Sequence, residues 1–129
     1  MNKNILALGI FLTVFAILLG AFGAHGLKKL VSAEELEVFK TGVQYQIYHA
    51  FGLIFVGILF EKFNQKNLKF AGLFFVIGVF LFSGSLYTIT IMKVMDVSVL
   101  PIVAVLTPIG GFAFLLGWVT LLVAIFKKM

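Results

Sequence analysis

The sequence predicts an all-α membrane protein: four transmembrane helices in an antiparallel bundle, with a short amphipathic surface helix between the first and second spans. Three observations predict it. The 129-residue chain is 62% hydrophobic and only 12% charged, with a mean hydropathy of +1.17. A water-soluble domain of this size could not hide that much apolar surface, so lipid must be the solvent for most of it. The apolar residues fall into four long runs separated by lysine-bearing loops. Two of those runs carry regular stripes of small residues, the device by which helices approach each other in lipid.

The first run, Ile5 to Ala24, has only Thr13 as a polar residue. It imitates a secretory signal peptide, with Lys3 before it and small residues at its end. Its length fits a span of about 20 residues rather than the shorter core of a signal, so a retained helix is expected. The second run is Ile47 to Phe60, extended backwards by Gln44, Tyr45 and Gln46. The third is Leu68 to Met92, and the fourth lies within Val97 to Phe126. The predicted spans are 4–25, 44–61, 68–92 and 100–126, in a single domain of residues 1–129. Between the first two spans, Ser32-Ala33-Glu34-Glu35 reads as a capping box. Leu36, Phe39 and Val43 then recur at helical spacing beside Glu34, Glu37 and Thr41. A surface helix over 33–41 is expected, turning near Gly42 into the second span.

Loop lysines set the orientation. Lys3, Lys62, Lys66, Lys69, Lys127 and Lys128 lie on one side, and Lys28, Lys29, Lys40 and Lys93 on the other. The excess places both termini in the cytoplasm. The net charge of +5 is loop charge facing a membrane surface, and no nucleic-acid partner is expected. With no cysteine, disulfides and thiolate chemistry are excluded. With no arginine, the bidentate phosphate clamp is excluded as well.

The stripes predict how the helices pack. Gly9, Thr13, Ala16, Gly20 and Gly23 form one on the first span. Gly110, Ala113, Gly117, Thr120 and Ala124 form the other on the fourth. Either the two stripes mate within one copy, or one of them mates with another copy of the chain.

The remaining polar residues gather at one predicted depth, in the outer half. They are His25, Tyr45, Tyr48, His49, Ser83, Tyr87, Thr90, Thr107 and Pro108. Buried polar groups in a bilayer must find partners, so a shared hydrogen-bonded cluster is expected. Pro108 should kink or break the long fourth run, with Thr107 as N-cap of a restarted helix and Gly110-Gly111 open to close approach. Such a helix start would suit an anionic group, with a lipid head group as the obvious ligand.

Four segments carry a family resemblance. They are Gly20-Ala21-Phe22-Gly23-Ala24-His25-Gly26-Leu27, Thr41 to Ala50, Phe82-Ser83-Gly84-Ser85-Leu86-Tyr87 and Thr107-Pro108-Ile109-Gly110-Gly111. In that order they resemble the domain-of-unknown-function 423 family, which is similar to animal transmembrane protein 256. The resemblance covers essentially the whole chain. It implies a small four-span protein of the bacterial inner membrane and brings no activity, substrate or catalytic residue.

Sharper chemistry finds little support. Zinc needs about four ligands, and only His25 and His49 are good donors, so neither a metal nor a cofactor is expected. Ser83 and Ser85 have no nucleophile elbow and usually bond backbone in such helices, so no enzyme is expected. The leading expectation is a non-enzymatic membrane protein, a homo-oligomer or the companion of a membrane protein partner. It would bind membrane lipids or that partner at His25, Tyr45, His49, Ser83, Tyr87, Thr107, Pro108, Gly110 and Gly111. A small oligomeric transporter or channel is the alternative, and a membrane-embedded enzyme the weaker one.

Overall fold

The computed structural model describes residues 1–127, so Lys128 of the orientation argument lies outside the described residues. Among these the chain is all-helical, with four helices long and apolar enough to cross a membrane. α1 is Lys3–Ala24, capped by the Asn2 side chain, which accepts from the Ile5 N–H. A short 3-10 turn, Leu27–Lys29, leads to α2, Ala33–Leu59. The third span is built from α3 (Gln65–Gly78), one turn of π-helix (Val79–Ser83) and α4 (Gly84–Val94). α5 is Pro101–Phe126.

Two local expectations need correction. The capping box is present, with Ser32 Oγ accepting from the Glu35 N–H and the Glu35 carboxylate accepting from the Ser32 N–H. Yet the helix that it starts does not stop at Gly42, and no separate surface helix exists. Residues 33–59 form one continuous helix because Leu36, Phe39 and Val43 are buried against α1 and Leu27 rather than lying on a membrane surface. Pro108 likewise neither breaks the fourth helix nor starts one. α5 begins at Pro101, where the missing N–H costs nothing, and runs through Pro108. Pro108 is exposed, on the lipid side, where a lost backbone bond displaces no neighbour.

The helices pack antiparallel, as paired contacts running in opposite directions show. A methyl group placed on Gly57 would meet Leu6, on Gly9 it would meet Ala50 and Ile54, on Gly20 Val43, and on Gly23 Phe39. α2 and the third span are likewise antiparallel, with Gly42 against Leu86 and Tyr87, and Gly52 against Phe75. α5 lies on the third span through Gly110 at Leu81 and Phe82, and Gly117 at Phe75 and Ala71. The Asn64 N–H reaches the Ala124 carbonyl at the far end of this pair.

Both small-residue seams are therefore used, but not as expected. They do not meet each other, and neither is left for a second copy. The α1 seam receives α2, with Ala16 fully buried, and the α5 seam receives the third span. A small-residue stripe accepts any close partner, and the short connections deliver the sequence neighbour to it. α2 is the most enclosed span and α1 the least. The main core joins Leu53, Val56, Leu68, Phe75, Phe114 and Leu121 from three spans.

The π turn was not visible in the pattern of apolar residues. It inserts one residue into the third span between Gly78 and Gly84, whose N–H donates to the Val79 carbonyl. The wider turn redirects the side chains after it, so that Ser83 points to α2 and Ser85 to α5.

Candidate functional site

The polar residues divide into two sets on opposite flanks of α2. The first set is fully partnered. Gln46 sits at 4% exposure on the buried face of α2. Its Nε2 donates to the Leu12 carbonyl of α1 at 2.8 Å, and its Oε1 accepts from the Tyr87 hydroxyl at 2.7 Å. One amide thus ties three spans together. Nearby, the Ser83 hydroxyl donates to the Gly42 carbonyl at 2.6 Å. Ser85 Oγ donates to the Phe82 carbonyl at 2.8 Å and lies 2.6 Å from Thr107 Oγ1. A serine has one hydroxyl proton, so Thr107 is the donor in that pair. Thr90 bonds its own helix at the Leu86 carbonyl and joins no cluster.

The second set is not partnered. Between α2 and α5 lies a cleft of about 410 Å³ lined by Tyr45, Tyr48, His49, Gly111, Phe114, Leu115 and Trp118. His49 forms its floor at 4% exposure. Its ring lies flat on Phe114, 3.4 Å between centroids and 5° between planes, with Phe75 and Trp118 at its edges. Nδ1 is 2.6 Å from the Tyr45 carbonyl. A carbonyl only accepts, so Nδ1 carries the proton, and in the neutral ring Nε2 presents a lone pair. Nε2 has no partner among the described residues and is not sealed in. The hydroxyls of Tyr45 and Tyr48 and the indole N–H of Trp118 make no hydrogen bond among these residues either.

The cleft is deep. Phe114, the platform for His49, lies midway along α5. Leu12, bonded by Gln46 less than one turn away on α2, lies midway along α1. Half of a 26-residue helix is about 20 Å long, so His49 stands near the centre of the spans. The expectation that these polar groups share one depth near the end of the spans away from the termini fails for His49, which stands near their middle. The error came from counting the second span from Gln44, when the helix starts eleven residues earlier at Ala33.

The structure therefore gathers Tyr45, His49 and Gly111 at the cleft, and Ser83 and Tyr87 in the partnered network with Gln46. His25 is apart from both, exposed at the C-cap of α1. Pro108 faces outward, and Gly110 is covered by the third span. No group of three or more His, Cys, Asp or Glu side chains comes together among the described residues. Sequence reading missed Gln46, Phe114 and Trp118. Gln46 was findable, because Leu36, Phe39, Val43, Gln46, Ala50, Leu53, Gly57 and Phe60 recur every three or four residues, and it is the one polar member. Phe114 and Trp118 carried no signal, being aromatic residues in an apolar run.

The family model described as a protein of unknown function (DUF423) matches residues 19–111. The chain belongs to this family. The match takes in Gly20 and Gly23 of the α1 seam, Gln46, Ser83 and Tyr87 of the network, and the cleft as far as Gly111. The UPF0382 membrane protein YwdK of Bacillus subtilis is 40% identical over 128 residues, covering 98% of this chain and 99% of that protein. The UPF0382 inner membrane protein YgdD of Escherichia coli is 34% identical, covering 88% of this chain and 87% of its own length. A UPF0382 membrane protein of Haemophilus influenzae is 35% identical over 114 residues. No solved structure matches. The DUF423 chain is thus a membrane protein with four spans.

Proposed function

We propose that this DUF423 protein is a non-enzymatic, multi-pass protein of the bacterial inner membrane, with both termini in the cytoplasm, that binds a lipid in the cleft between α2 and α5. The observation that carries this reading is the unpartnered Nε2 of His49. A buried acceptor left open in hydrocarbon is costly, and the neighbouring Gln46 shows how this fold treats a polar group that serves structure. The cleft is flanked by the exposed, lipid-facing sides of Tyr45, Tyr48 and Trp118, so a lipid enters sideways from the bilayer.

Native mass spectrometry of the full chain, extracted with its surrounding lipids, tests the reading. A retained lipid is expected on the native protein and lost in Gly111→Leu, whose side chain fills the cleft. A bare protein in both would overturn it. Orientation has its own test. Single cysteines in place of Glu35 and Asp96 should label from outside intact cells and one in place of Lys66 should not; the reverse pattern would invert the topology.

A further inference from the structure

The depth of the cleft narrows the class of lipid, an argument that rests on the lipid-binding reading above. A phospholipid head group carries charge and stays at the interface, because charge at the bilayer centre is expensive. Its acyl chains reach His49 but cannot hydrogen-bond to it. The occupant that satisfies Nε2 at mid-span must be neutral, must bring a hydrogen-bonding group down to that level, and must fit among flat walls.

We propose that the cleft holds the ring of a lipid-soluble quinone or its quinol. A quinol hydroxyl donates to His49 Nε2. The ring oxygens of either form accept from the hydroxyls of Tyr45 and Tyr48 and the indole N–H of Trp118, which line the same space without partners. The ring meets aromatic surface on several sides, and such surfaces favour flat or edge-on ring contacts. The volume of about 410 Å³ falls within the roughly 300–1,000 Å³ of small-molecule sites. Gly111 leaves the mouth open: a methyl group there would touch only Phe82, at an ordinary 3.7 Å. The proposal is one of binding, and no redox step is assigned to the protein.

Trp118 is the only tryptophan, so its fluorescence reports on this cleft alone. The full chain is placed in nanodiscs of phosphatidylethanolamine and phosphatidylglycerol and titrated with decylubiquinone, a quencher. Saturable quenching is expected, with the half-saturation point raised about tenfold or more in Gly111→Leu, corresponding to about 1.4 kcal/mol. Gly111→Leu has room to fold, and its melting temperature is measured alongside. Quenching that rises linearly, or that follows one curve in both proteins, overturns the quinone assignment. Native mass spectra then separate the two readings. Phospholipid adducts removed by Gly111→Leu, without saturable quenching, would leave the lipid cleft standing and the quinone excluded. Neither adducts nor saturable quenching would sink both.

Discussion

Gln46 and His49 lie less than one turn apart on α2, equally buried, at the same depth of the molecule. They differ in one respect. Every hydrogen-bonding group of the Gln46 flank is matched within the protein: amide to Leu12 and Tyr87, Ser83 to Gly42, Thr107 to Ser85. On the His49 flank one nitrogen is matched and the other is open, beside two tyrosine hydroxyls and an indole that are also free among the described residues. In hydrocarbon, where water cannot make up the difference, matched groups hold the fold and unmatched groups mark where something else binds. Substitutions on the two flanks should therefore separate stability from binding.

The largest effect is expected where neither flank can adjust. Gly110→Ala drives a methyl carbon into the Phe82 nitrogen and to 2.8 Å from the Leu81 carbonyl carbon, both backbone atoms that cannot swing aside. It should destabilise by about 3 kcal/mol or lose the folded protein. Gly111→Ala, its neighbour on the cleft side, should change stability by less than about 1 kcal/mol, with helix propensity favouring alanine. Thermal melts in detergent check the pair. Equal losses at both positions would mean that the cleft is closed.

Gln46→Leu comes next. It takes the Gln46 acceptor from the Tyr87 hydroxyl and removes the link to Leu12, for an expected loss of about 1–2 kcal/mol. The double variant with Tyr87→Phe should cost less than the two single changes added together, because the partners fail as a unit. Additive losses would break the claim of a shared network. Thr107→Val should cost only about 0.6 kcal/mol, the usual worth of one hydrogen bond between membrane helices, since Ser85 keeps its bond to Phe82.

The sequence made the spans legible because a bilayer imposes length and polarity on every crossing. Gly9, Gly23, Gly110 and Gly117 were legible as packing positions for a similar reason: only small side chains let backbones approach. Their partners were not legible, since a glycine seam does not specify what lies on it. The continuity of α2 was hidden by Glu34, Glu35 and Glu37, whose charges read as surface while Leu36 and Phe39 beside them were reaching α1. Pro108 misled in the opposite sense. A proline disrupts a helix in water, but on a lipid-facing flank it can stay within one. Tyr45 and His49 were both among the candidate residues, and the cleft was still out of reach, because its opposite wall is built from Phe114 and Trp118 on a helix with no contrast in its pattern.

The smallest expected change in stability belongs to the cleft itself. Tyr48 is about half exposed, packs edge-on against Tyr45, and its hydroxyl has no partner among the described residues. Tyr48→Phe removes that oxygen alone, so the melting temperature should stay within the roughly 0.5 kcal/mol equivalent of a neutral surface substitution. Lipid retention in the native spectrum should fall several-fold, on the scale of one lost hydrogen bond of about 1 kcal/mol. The two readouts move in opposite proportion to those of Gln46→Leu, which should lower stability first. A Tyr48→Phe protein that melts early while keeping its lipid would place this hydroxyl among the structural groups. The distinction between the two flanks of α2 would then fail where it is most exposed to test.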